Sequence, residues 1–413
     1  MGETNEANEP GGANETNATN GANETNATIG ANETNATIGA NGANAARRAQ
    51  RARGAQKTDR ESPASESAKR GAGPGSAAAA LAESRRFCVA PMLEWTDRHF
   101  RSVARLMTRK ALLFTEMVPL GALAVGDRER FLARGDEQGP LALQIGGSDP
   151  AQMAIAAQAA QAAGYDEINV NCGCPSPKVQ KGAFGAILMR EANLVADMVK
   201  AAQDAAQLPC TVKNRVGLDK DESYAFLADF VGTVHAKSGN DVFYVHARNA
   251  WLHGLSPKEN REIPPLRRDA AARLKRDMPD LTVVINGGIG DYGEIDGLLR
   301  DFDGVMVGRK AYKDPLFLRE VDQRFFGAAE PPVGDDELVG RIRAYVARAI
   351  ASGKGTQTRH VCRHLLGFFQ GEPGSKEWRR ILSDPQALAA NDPDVVFWAY
   401  EPIARARARR AEG

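Results

Sequence analysis

The chain has 413 residues, of which 43% are hydrophobic, and it carries a formal net charge of +1 at pH 7. This length allows a large hydrophobic core in one or more domains, and the balanced charge excludes a uniformly basic nucleic-acid-binding protein, so any basic surface must be local. Five scattered cysteines, an odd number, argue against a disulfide framework. The sequence lacks the apolar run of a membrane helix and the apolar segment of a signal peptide. We therefore expect a soluble cytoplasmic protein that does not bind membranes.

Residues 1–80 form an extension of low complexity. The unit Ala-Asn-Glu-Thr-Asn-Ala-Thr begins at Ala13, Ala22 and Ala31, which is a period of nine residues. Because this unit has almost nothing to bury, disorder is favoured over a packed stack of repeats. The basic segment at 47–53 could touch RNA or serve as a solvated linker. We expect order to begin near Phe87.

From Phe87 onward, short β-prone runs alternate with helix-prone segments rich in Ala and Leu. The β-prone runs are residues 87–90, 112–116, 141–145, 167–171, 211–215, 242–246, 282–286 and 304–307. The helix-prone segments between them include residues 150–163, 194–206, 224–237 and 264–277. Eight strand–helix units favour a closed parallel (β/α)8 TIM barrel over an open doubly wound sheet, which usually has fewer strands. We assign this barrel to residues 85–328.

The pair Pro331-Pro332 ends the alternation, and only helix-prone segments follow. They are residues 335–351, 358–369, 376–382 and 392–410, and we assign 333–413 to an all-helical domain. Between Arg341 and Arg380, nine Lys or Arg residues stand against two acids. Such an excess is typical of a nucleic-acid-binding surface, but it is also found on the solvated faces of amphipathic helices.

Functional side chains of a TIM barrel lie at the carboxyl ends of its strands. The residues at or just after the ends of the predicted strands form a set that is largely polar, namely Pro91 and Met92, Gln144, Asn171 and Cys174, Lys213 and Arg215, His246 and Arg248, Asn286 to Ile289, and Gly308 and Arg309. The glycines after the last two strands would let backbone N–H groups approach a phosphate, to which Arg309 would add charge. Their position favours a phosphate-bearing ligand over plain turns.

Lys213 and His246 could be a snorkelling lysine and a core histidine, but their places near the predicted phosphate site favour a function. A lysine beside a flavin ring could stabilise negative charge on the reduced ring. Cys174 lies in a Gly-Cys-Pro-Ser turn after a strand, and in a pocket with flavin its thiol could donate a proton. Cys172 and Cys174 lack the further ligands of a metal site, so we expect no metal.

At these positions the sequence resembles the tRNA-dihydrouridine synthases, which are flavoproteins that reduce uridine in tRNA. The segments that carry the resemblance are Val-Ala-Pro-Met at 89–92, Gln-Ile-Gly-Gly at 144–147, Asn-Val-Asn-Cys-Gly-Cys-Pro-Ser at 169–176, Val-Lys-Asn-Arg at 212–215, Val-His-Ala-Arg at 245–248, Asn-Gly-Gly at 286–288 and Gly-Val-Met-Val-Gly-Arg at 304–309. Segments 258–267 and 363–371, with Trp378, resemble the A-type branch, which acts on D-loop uridines at positions 20 and 20a.

The resemblance implies FMN-dependent reduction of uridine to 5,6-dihydrouridine with NADPH as reductant. Hydride would pass from flavin N5 to C6 of uracil, and Cys174, which matches the family's acid, would protonate C5. The positions that match flavin contacts are Pro91, Met92, Leu93, Gln144, Lys213, His246, Asn286, Gly287, Gly288, Gly308 and Arg309. The positions that match tRNA contacts are Asn171, Lys258, Arg261, His360 and Arg363.

The resemblance also makes the helical C-terminus a tRNA-binding domain, and we expect a monomer. Cys172 occupies a variable position of the motif and receives no role. The first eighty or so residues fall outside the family pattern, and we expect activity without them.

Two alternatives remain at this point. Another flavin barrel enzyme, such as a dihydroorotate or dihydropyrimidine dehydrogenase, can use a loop cysteine as a base, but a free pyrimidine needs no helical platform. An RNA-binding module with vestigial catalysis would not need Cys174, Lys213 and His246 together. A flavin absorbance band excludes the pure binding module, and NADPH consumption that depends on unmodified tRNA excludes the small-molecule enzyme.

Overall fold

The structure, a computed structural model, describes residues 74–135, 138–221 and 223–412. Residues 1–73, which include the nine-residue repeats and most of the predicted disordered extension, lie outside the described residues. Helix α1 (Pro74–Ser84) begins earlier than the order expected from Phe87. Its alanine-rich sequence favours a helix, and its Leu81 is buried against the apolar residues inside the barrel.

Nine parallel strands form one sheet in the part of the chain that the structure describes. They are β1 (Phe87–Val89), β2 (Leu112–Phe114), β3 (Val118–Pro119), β4 (Leu141–Gly146), β5 (Glu167–Cys172), β6 (Cys210–Arg215), β7 (Val242–His246), β8 (Thr282–Asn286) and β9 (Gly304–Val307). Each of the eight predicted strands is present. The additional β3 is a two-residue pairing of Val118 and Pro119 with the end of β4.

The sheet closes on itself because β2 pairs with both β1 and β4. The remaining neighbours follow in the order β4, β5, β6, β7, β8, β9 and back to β1. All of these pairings are parallel, so every strand points its carboxyl end to the same mouth of the barrel. The predicted eight-stranded TIM barrel is confirmed.

Side chains alternate between the inside and the outside of this barrel, as the pleat requires. On β5, Ile168, Val170 and Cys172 belong to the large core between sheet and helices. Glu167 and Asn169, which alternate with them, hydrogen-bond to side chains of other strands. The barrel interior is therefore polar along β5. A small apolar cluster that includes Leu81 and Phe114 fills the end of the barrel opposite the carboxyl ends of the strands.

Helices surround the barrel, and most follow a strand. They are α2 (Arg98–Arg105), α3 (Leu120–Ala124), α4 (Arg128–Phe131), α5 (Pro150–Ala162), α6 (Pro177–Lys181), α7 (Ala192–Ala205), α8 (Tyr224–Ser238), α9 (Arg268–Asp277), α10 (Tyr292–Leu298), α11 (Arg309–Lys313) and α12 (Val321–Phe326), with 3-10 turns at Gly185–Arg190, Glu259–Arg261 and Pro315–Glu320. Helix α9 starts four residues later than the predicted 264, because a residue that precedes proline, here Pro264, disfavours helical dihedrals.

The C-terminal part is helical, as expected. Its helices are α13 (Asp335–Ala351), α14 (Thr358–Cys362), α15 (Ser375–Ser383), α16 (Pro385–Ala389) and α17 (Val395–Glu412). Helix α14 ends seven residues before the predicted 369. None of the helices in the described ranges has the length and hydrophobicity that a bilayer crossing requires.

The segment after α14 turns away from helical geometry because it docks on the barrel. Phe369 has a left-handed φ of 55°, and a Cβ placed on Gly367 would lie 2.9 Å from Cδ of Pro315 and closer still to the Lys313 carbonyl. Two backbones thus meet at Gly367 without an intervening side chain. This contact fixes the C-terminal helices against the end of α11, the helix that follows β9.

Candidate active site

The carboxyl ends of the strands open into a cavity of about 1530 Å³. Every strand of the closed barrel contributes to its lining, either through residues near its carboxyl end or through the loop that follows it, and residues of the C-terminal part complete one side. Pockets for single small molecules usually measure about 300 to 1,000 Å³. This cavity therefore has room for a cofactor and a second ligand together.

The structure brings the predicted site residues together with one exception. The lining contains Cys174, all of the predicted flavin contacts (Pro91, Met92, Leu93, Gln144, Lys213, His246, Asn286, Gly287, Gly288, Gly308 and Arg309) and four predicted tRNA contacts (Asn171, Arg261, His360 and Arg363). The exception is Lys258, an exposed residue at the start of the Glu259–Arg261 turn that lies outside the lining.

The backbone around Cys174 is held from three directions. The side-chain oxygen of Asn171 accepts hydrogen bonds from the N–H groups of Gly173 at 3.1 Å and Cys174 at 3.0 Å. Arg215 donates through Nε to the Gly173 carbonyl at 3.0 Å. The N–H of Ala186 donates to the Cys174 carbonyl at 2.9 Å. The loop that carries Cys174 is consequently rigid, although the cysteine itself is half-buried and open to the cavity.

Gly185 allows the last of these contacts. Its φ of 79° is a left-handed conformation, and a Cβ there would lie 2.6 Å from the Cys174 carbonyl oxygen and 3.4 Å from the Cys174 Cβ. The same Cβ would lie 2.5 Å from Cγ1 of Val179, so a side chain at this position would displace both Val179 and Cys174. No local sequence pattern indicates this role, because the approach joins two separate turns of one long loop.

The two cysteines of the motif occupy different environments. Cys172 is the last residue of β5, and its side chain is fully buried in the core between the sheet and the helices. This burial raises the pKa of its thiol. Cys174 lies in the cavity wall. Only Cys174 is placed to exchange a proton with a ligand, and it is the one half-buried thiol beside four buried ones.

Positive charge is concentrated inside the cavity. Lys213 donates from Nζ to Oδ1 of Asn286 at 3.2 Å, and no carboxylate pairs with it in the described part of the chain. Lys213 is partly exposed, and it lines the cavity. Its enclosure by the cavity wall, together with the nearby charge of Arg215, lowers the pKa of Lys213 to about 7. Burial also lowers the pKa of His246 well below its ordinary value, with Arg215 and Lys213 adding to the effect.

The ends of β8 and β9 carry the glycines that were predicted to bind phosphate. Gly287 and Gly288 have φ values of 122° and 69°, which only glycine adopts without strain. A Cβ on Gly308 would lie 3.6 Å from Ala90, so a side chain would narrow the cavity there. The Arg309 guanidinium already pairs through Nη1 with Glu262 at 2.6 Å, so a ligand would be contacted by its other N–H groups.

Comparison with known proteins settles the family of this chain. The sequence profile of the dihydrouridine synthase (Dus) family matches residues 88–397. The chain belongs to the dihydrouridine synthase family. The matched segment contains the whole barrel from its second residue and most of the C-terminal helices, so the family pattern covers both parts that line the cavity.

Members of this family with close similarity include three bacterial proteins named tRNA-dihydrouridine(20/20a) synthase. The protein of Salmonella typhi is 51% identical over 322 residues, which cover 78% of this chain and 96% of the relative. That of Escherichia coli K12 is 50% identical over 78% of this chain and 93% of the relative. That of Pseudomonas putida is 52% identical over 76% of this chain and 92% of the relative.

Among solved structures, morphinone reductase in complex with tetrahydroNAD covers 61% of this chain and 90% of its own at 14% identity, with a TM-score of 0.40. A similarity of this size supports no functional conclusion. Within the described residues, no group of three or more His, Cys, Asp or Glu side chains could hold a metal ion.

The dihydrouridine synthase barrel meets the C-terminal helices at Asp97. This carboxylate accepts hydrogen bonds from Arg363 at 2.6 Å and His364 at 3.0 Å, and it also caps α2. Burial alone would raise the pKa of Asp97, but the bonds from His364, Phe100 N–H and Arg363 outweigh it and lower that pKa. Asp97 therefore fixes Arg363, a predicted tRNA contact, at the cavity rim.

Proposed function

We propose that this chain reduces uridine to 5,6-dihydrouridine in the D-loop of tRNA, at positions 20 and 20a, with FMN as cofactor and NADPH as reductant. The observation that carries the proposal is a half-buried Cys174 in the same cavity as the enclosed Lys213 and His246. The three relatives that share about half of their residues with this chain over nearly their whole length are named for that activity and those positions. This similarity supports the substrate class.

The cavity residues fit a flavin with a phosphate tail. Among the residues that the structure describes, no carboxylate pairs with the enclosed Lys213, and an anionic ligand would remove the penalty of holding its charge there. Gly287, Gly288 and Gly308 carry no side chain, so a phosphate could approach their backbone N–H groups closely, and Arg309 directly follows Gly308. Gln144 and His246 would contact the ring system. This donor set is chemically suited to FMN.

Bound, reduced FMN would supply a hydride to C6 of the uracil ring. The proton for C5 comes from the Cys174 thiol, which the rigid loop holds in the cavity wall. Lys213 contributes a positive charge near the ring carbonyls, where negative charge develops. His246 stays neutral at physiological pH, so it acts as a hydrogen-bonding group rather than as a second cation.

The helical part, residues 333–413, serves in this proposal as a tRNA-binding domain. Lys354, His360 and Arg363 bring positive or polar groups from it to the cavity lining. A target base stacked inside the tRNA must turn out into the cavity, which costs a few kcal/mol, and phosphate contacts on this rim would offset the cost. We expect the protein to work as a monomer in the cytoplasm, where its tRNA substrate is found, because one chain supplies every residue named for the site.

The proposal is tested with purified protein and tRNA that lacks dihydrouridine. We expect a yellow protein whose flavin is FMN, NADPH oxidation that depends on this tRNA, and a mass gain of two hydrogen atoms in the D-loop fragment that contains positions 20 and 20a. A colourless protein, or NADPH oxidation that tRNA does not stimulate, contradicts the proposal. Dihydrouridine at other positions would contradict the assignment of the target alone.

A further inference from the structure

A line of buried polar side chains runs through the inside of the barrel from the start of β5 to the Cys174 loop. It starts at Glu167, whose side chain is fully buried. Four donor groups converge on the two carboxylate oxygens: Nε and Nη2 of Arg85 at 3.0 and 2.7 Å, the Thr211 hydroxyl at 2.7 Å and the Tyr244 hydroxyl at 2.8 Å. With every site on its oxygens taken by a donor, Glu167 acts only as an acceptor.

This carboxylate fixes the direction of the next hydrogen bond. The Thr211 hydroxyl has one proton, and the charged Glu167 oxygen at 2.7 Å competes for it with the Ile168 carbonyl at 3.2 Å. The shorter, charge-assisted bond is the stronger one. The Thr211 oxygen is then left to accept, and it accepts from Nδ2 of Asn169 at 2.9 Å.

The same logic passes through three amides. Once Asn169 turns its NH2 group to Thr211, its oxygen faces Gln144 and accepts from Nε2 at 2.8 Å. The oxygen of Gln144 accepts in turn from Nδ2 of Asn171 at 2.7 Å. The oxygen of Asn171 accepts from the N–H groups of Gly173 and Cys174. We call the series Glu167, Thr211, Asn169, Gln144 and Asn171 the amide relay.

The direction of the relay decides which polarity the cavity shows to its ligands. The oxygen and NH2 ends of an amide have nearly the same shape, so packing alone does not choose between them. In the observed direction, Gln144 and Asn171 each use one NH2 hydrogen within the relay and keep the second, and both residues line the cavity. In the opposite direction, the Asn171 NH2 would face the two loop N–H groups and release the Cys174 loop.

We propose that Glu167, Thr211 and Asn169 are positioning residues for the reaction. None of the three lines the cavity, but through Gln144 and Asn171 they set the amide orientation at the cavity and hold the Cys174 loop. The catalytic part of this inference rests on the proposed function. Its structural part, that the Thr211 hydroxyl governs the Cys174 loop, does not.

The barrel offers a matched control for this idea. Thr211 and Tyr244 both donate a hydroxyl hydrogen bond to the same oxygen, Oε1 of Glu167, and both are buried. Only Thr211 continues into the relay. Loss of either hydroxyl therefore removes one donor from Glu167, but only the loss at Thr211 removes the acceptor that orients Asn169.

The experiment compares Thr211→Val, Thr211→Ser and Tyr244→Phe in the flavin-loaded protein. We expect Thr211→Val to lower kcat about tenfold, with KM for tRNA changed less than about twofold. Thr211→Ser and Tyr244→Phe should keep kcat within about twofold of wild type, because each leaves the relay intact. If Thr211→Val does not fold, the pair Thr211→Ala and Thr211→Ser isolates the hydroxyl equally well.

A second readout does not require turnover. Cys174 is the one half-buried cysteine beside four buried ones, so the rate of its alkylation by iodoacetamide reports on the loop. We expect about fivefold faster alkylation in Thr211→Val than in Tyr244→Phe. Equal alkylation rates, or equal losses of kcat, in these two variants would overturn the relay even if the wild type makes dihydrouridine. If the wild type does not, the proposed function fails and the alkylation rates still decide the relay.

Discussion

The Nε atom of Arg215 donates a hydrogen bond to the carbonyl oxygen of Gly173 at 3.0 Å, one residue before Cys174. The same guanidinium donates through Nη1 to the carbonyls of Asn249 and Asn260, both at 2.9 Å. Asn260 in turn organises the turn that carries Lys258 and Arg261, because its side chain bonds to the Trp251 backbone in both directions. One buried cation thus ties the loop of the proposed acid to a loop of proposed tRNA contacts.

We therefore expect Arg215→Lys to keep a charge at this place but to lose the link. A lysine lacks the planar fork that reaches all three carbonyls. We expect urea unfolding to show a loss of about 2 to 4 kcal/mol in the free energy of unfolding. The rate of dihydrouridine formation should show a kcat that is lower by about tenfold or more. Arg300→Lys, the same change at an exposed arginine, serves as control; an equal effect there would contradict the role of Arg215.

Gly185→Ala should displace Cys174. The new Cβ would lie 2.6 Å from the Cys174 carbonyl oxygen, at a φ of 79°. Gly254→Ala is a matched control, because Gly254 has a φ of 81° but no atom within 4 Å of its Cβ position. Both variants carry the backbone strain, roughly 1 kcal/mol, and we expect only Gly185→Ala to lower kcat by about tenfold or more. Similar kcat values in the two variants would show that strain, and not contact with Cys174, determines the result.

Cys174→Ala and Cys172→Ala form a pair that tests the proton donor. Cys174→Ala should retain flavin and tRNA binding and lose nearly all turnover, because no other thiol lies in the cavity lining. Cys172→Ala should keep its activity and lose about 1 kcal/mol of stability, since the sulfur fills space in the core. Dihydrouridine formed at the wild-type rate by Cys174→Ala would remove the acid assignment.

The lowered pKa of Lys213 predicts a pH-dependent stability. Burial lowers this pKa from 10.5 to about 7, so between these values the unfolded chain binds the proton that the folded chain has released. Stability therefore rises with pH across that window, and the full penalty of the enclosed charge is felt below about pH 7. Lys213→Met removes the charge, so it should be more stable than wild type near pH 7, and the difference should shrink towards pH 10.

Urea unfolding of flavin-free wild type and Lys213→Met at several pH values measures this difference. His246 does not disturb the comparison above pH 7, because its pKa is lowered and the ring is neutral there in both folded and unfolded chains. A stability difference that is constant from about pH 7 to 10 would contradict the assigned shift.

Lys258 offers a test of the tRNA contacts, since it is exposed and lies outside the cavity lining. If it contacts an RNA phosphate, Lys258→Ala should weaken tRNA binding and reduce the slope of log K against log salt by about 0.7 to 0.9. Lys200→Ala is the control, because Lys200 pairs with Asp204 on the outer helix α7. Identical slopes for the two variants would mean that Lys258 does not touch the RNA backbone.

Most of the barrel could be predicted because its strands are short apolar runs with clear breaks between them. Each miss has a physical cause. The two-residue strand β3 is too short for any pattern, and α9 begins late because Pro264 and Pro265 hold the chain extended. Helix α14 ends early because Gly367 docks on Lys313, a contact between segments more than fifty residues apart that no local pattern encodes.

The site was predicted in part for similar reasons. Cys174, Lys213 and His246 stand at strand ends, where composition and motif agree. The alternation of Glu167, Asn169 and Asn171 with apolar residues on β5 was a signal for a polar barrel interior. The partners of these residues depend on the register between strands, for example Asn169 opposite Gln144 and Thr211. That register, and with it the amide relay, becomes visible only in the closed sheet.

The backbone contact between Gly367 and Lys313 also bears on how enzyme and RNA accommodate each other. Since no side chain separates the two backbones, we expect the C-terminal helices to keep their position beside the cavity when RNA binds. We then expect the protein surface around the cavity to stay fixed. The conformational change on binding would occur in the tRNA, which would bend and unstack to present its base. Which uridine is chosen would then depend on how easily each tRNA elbow opens.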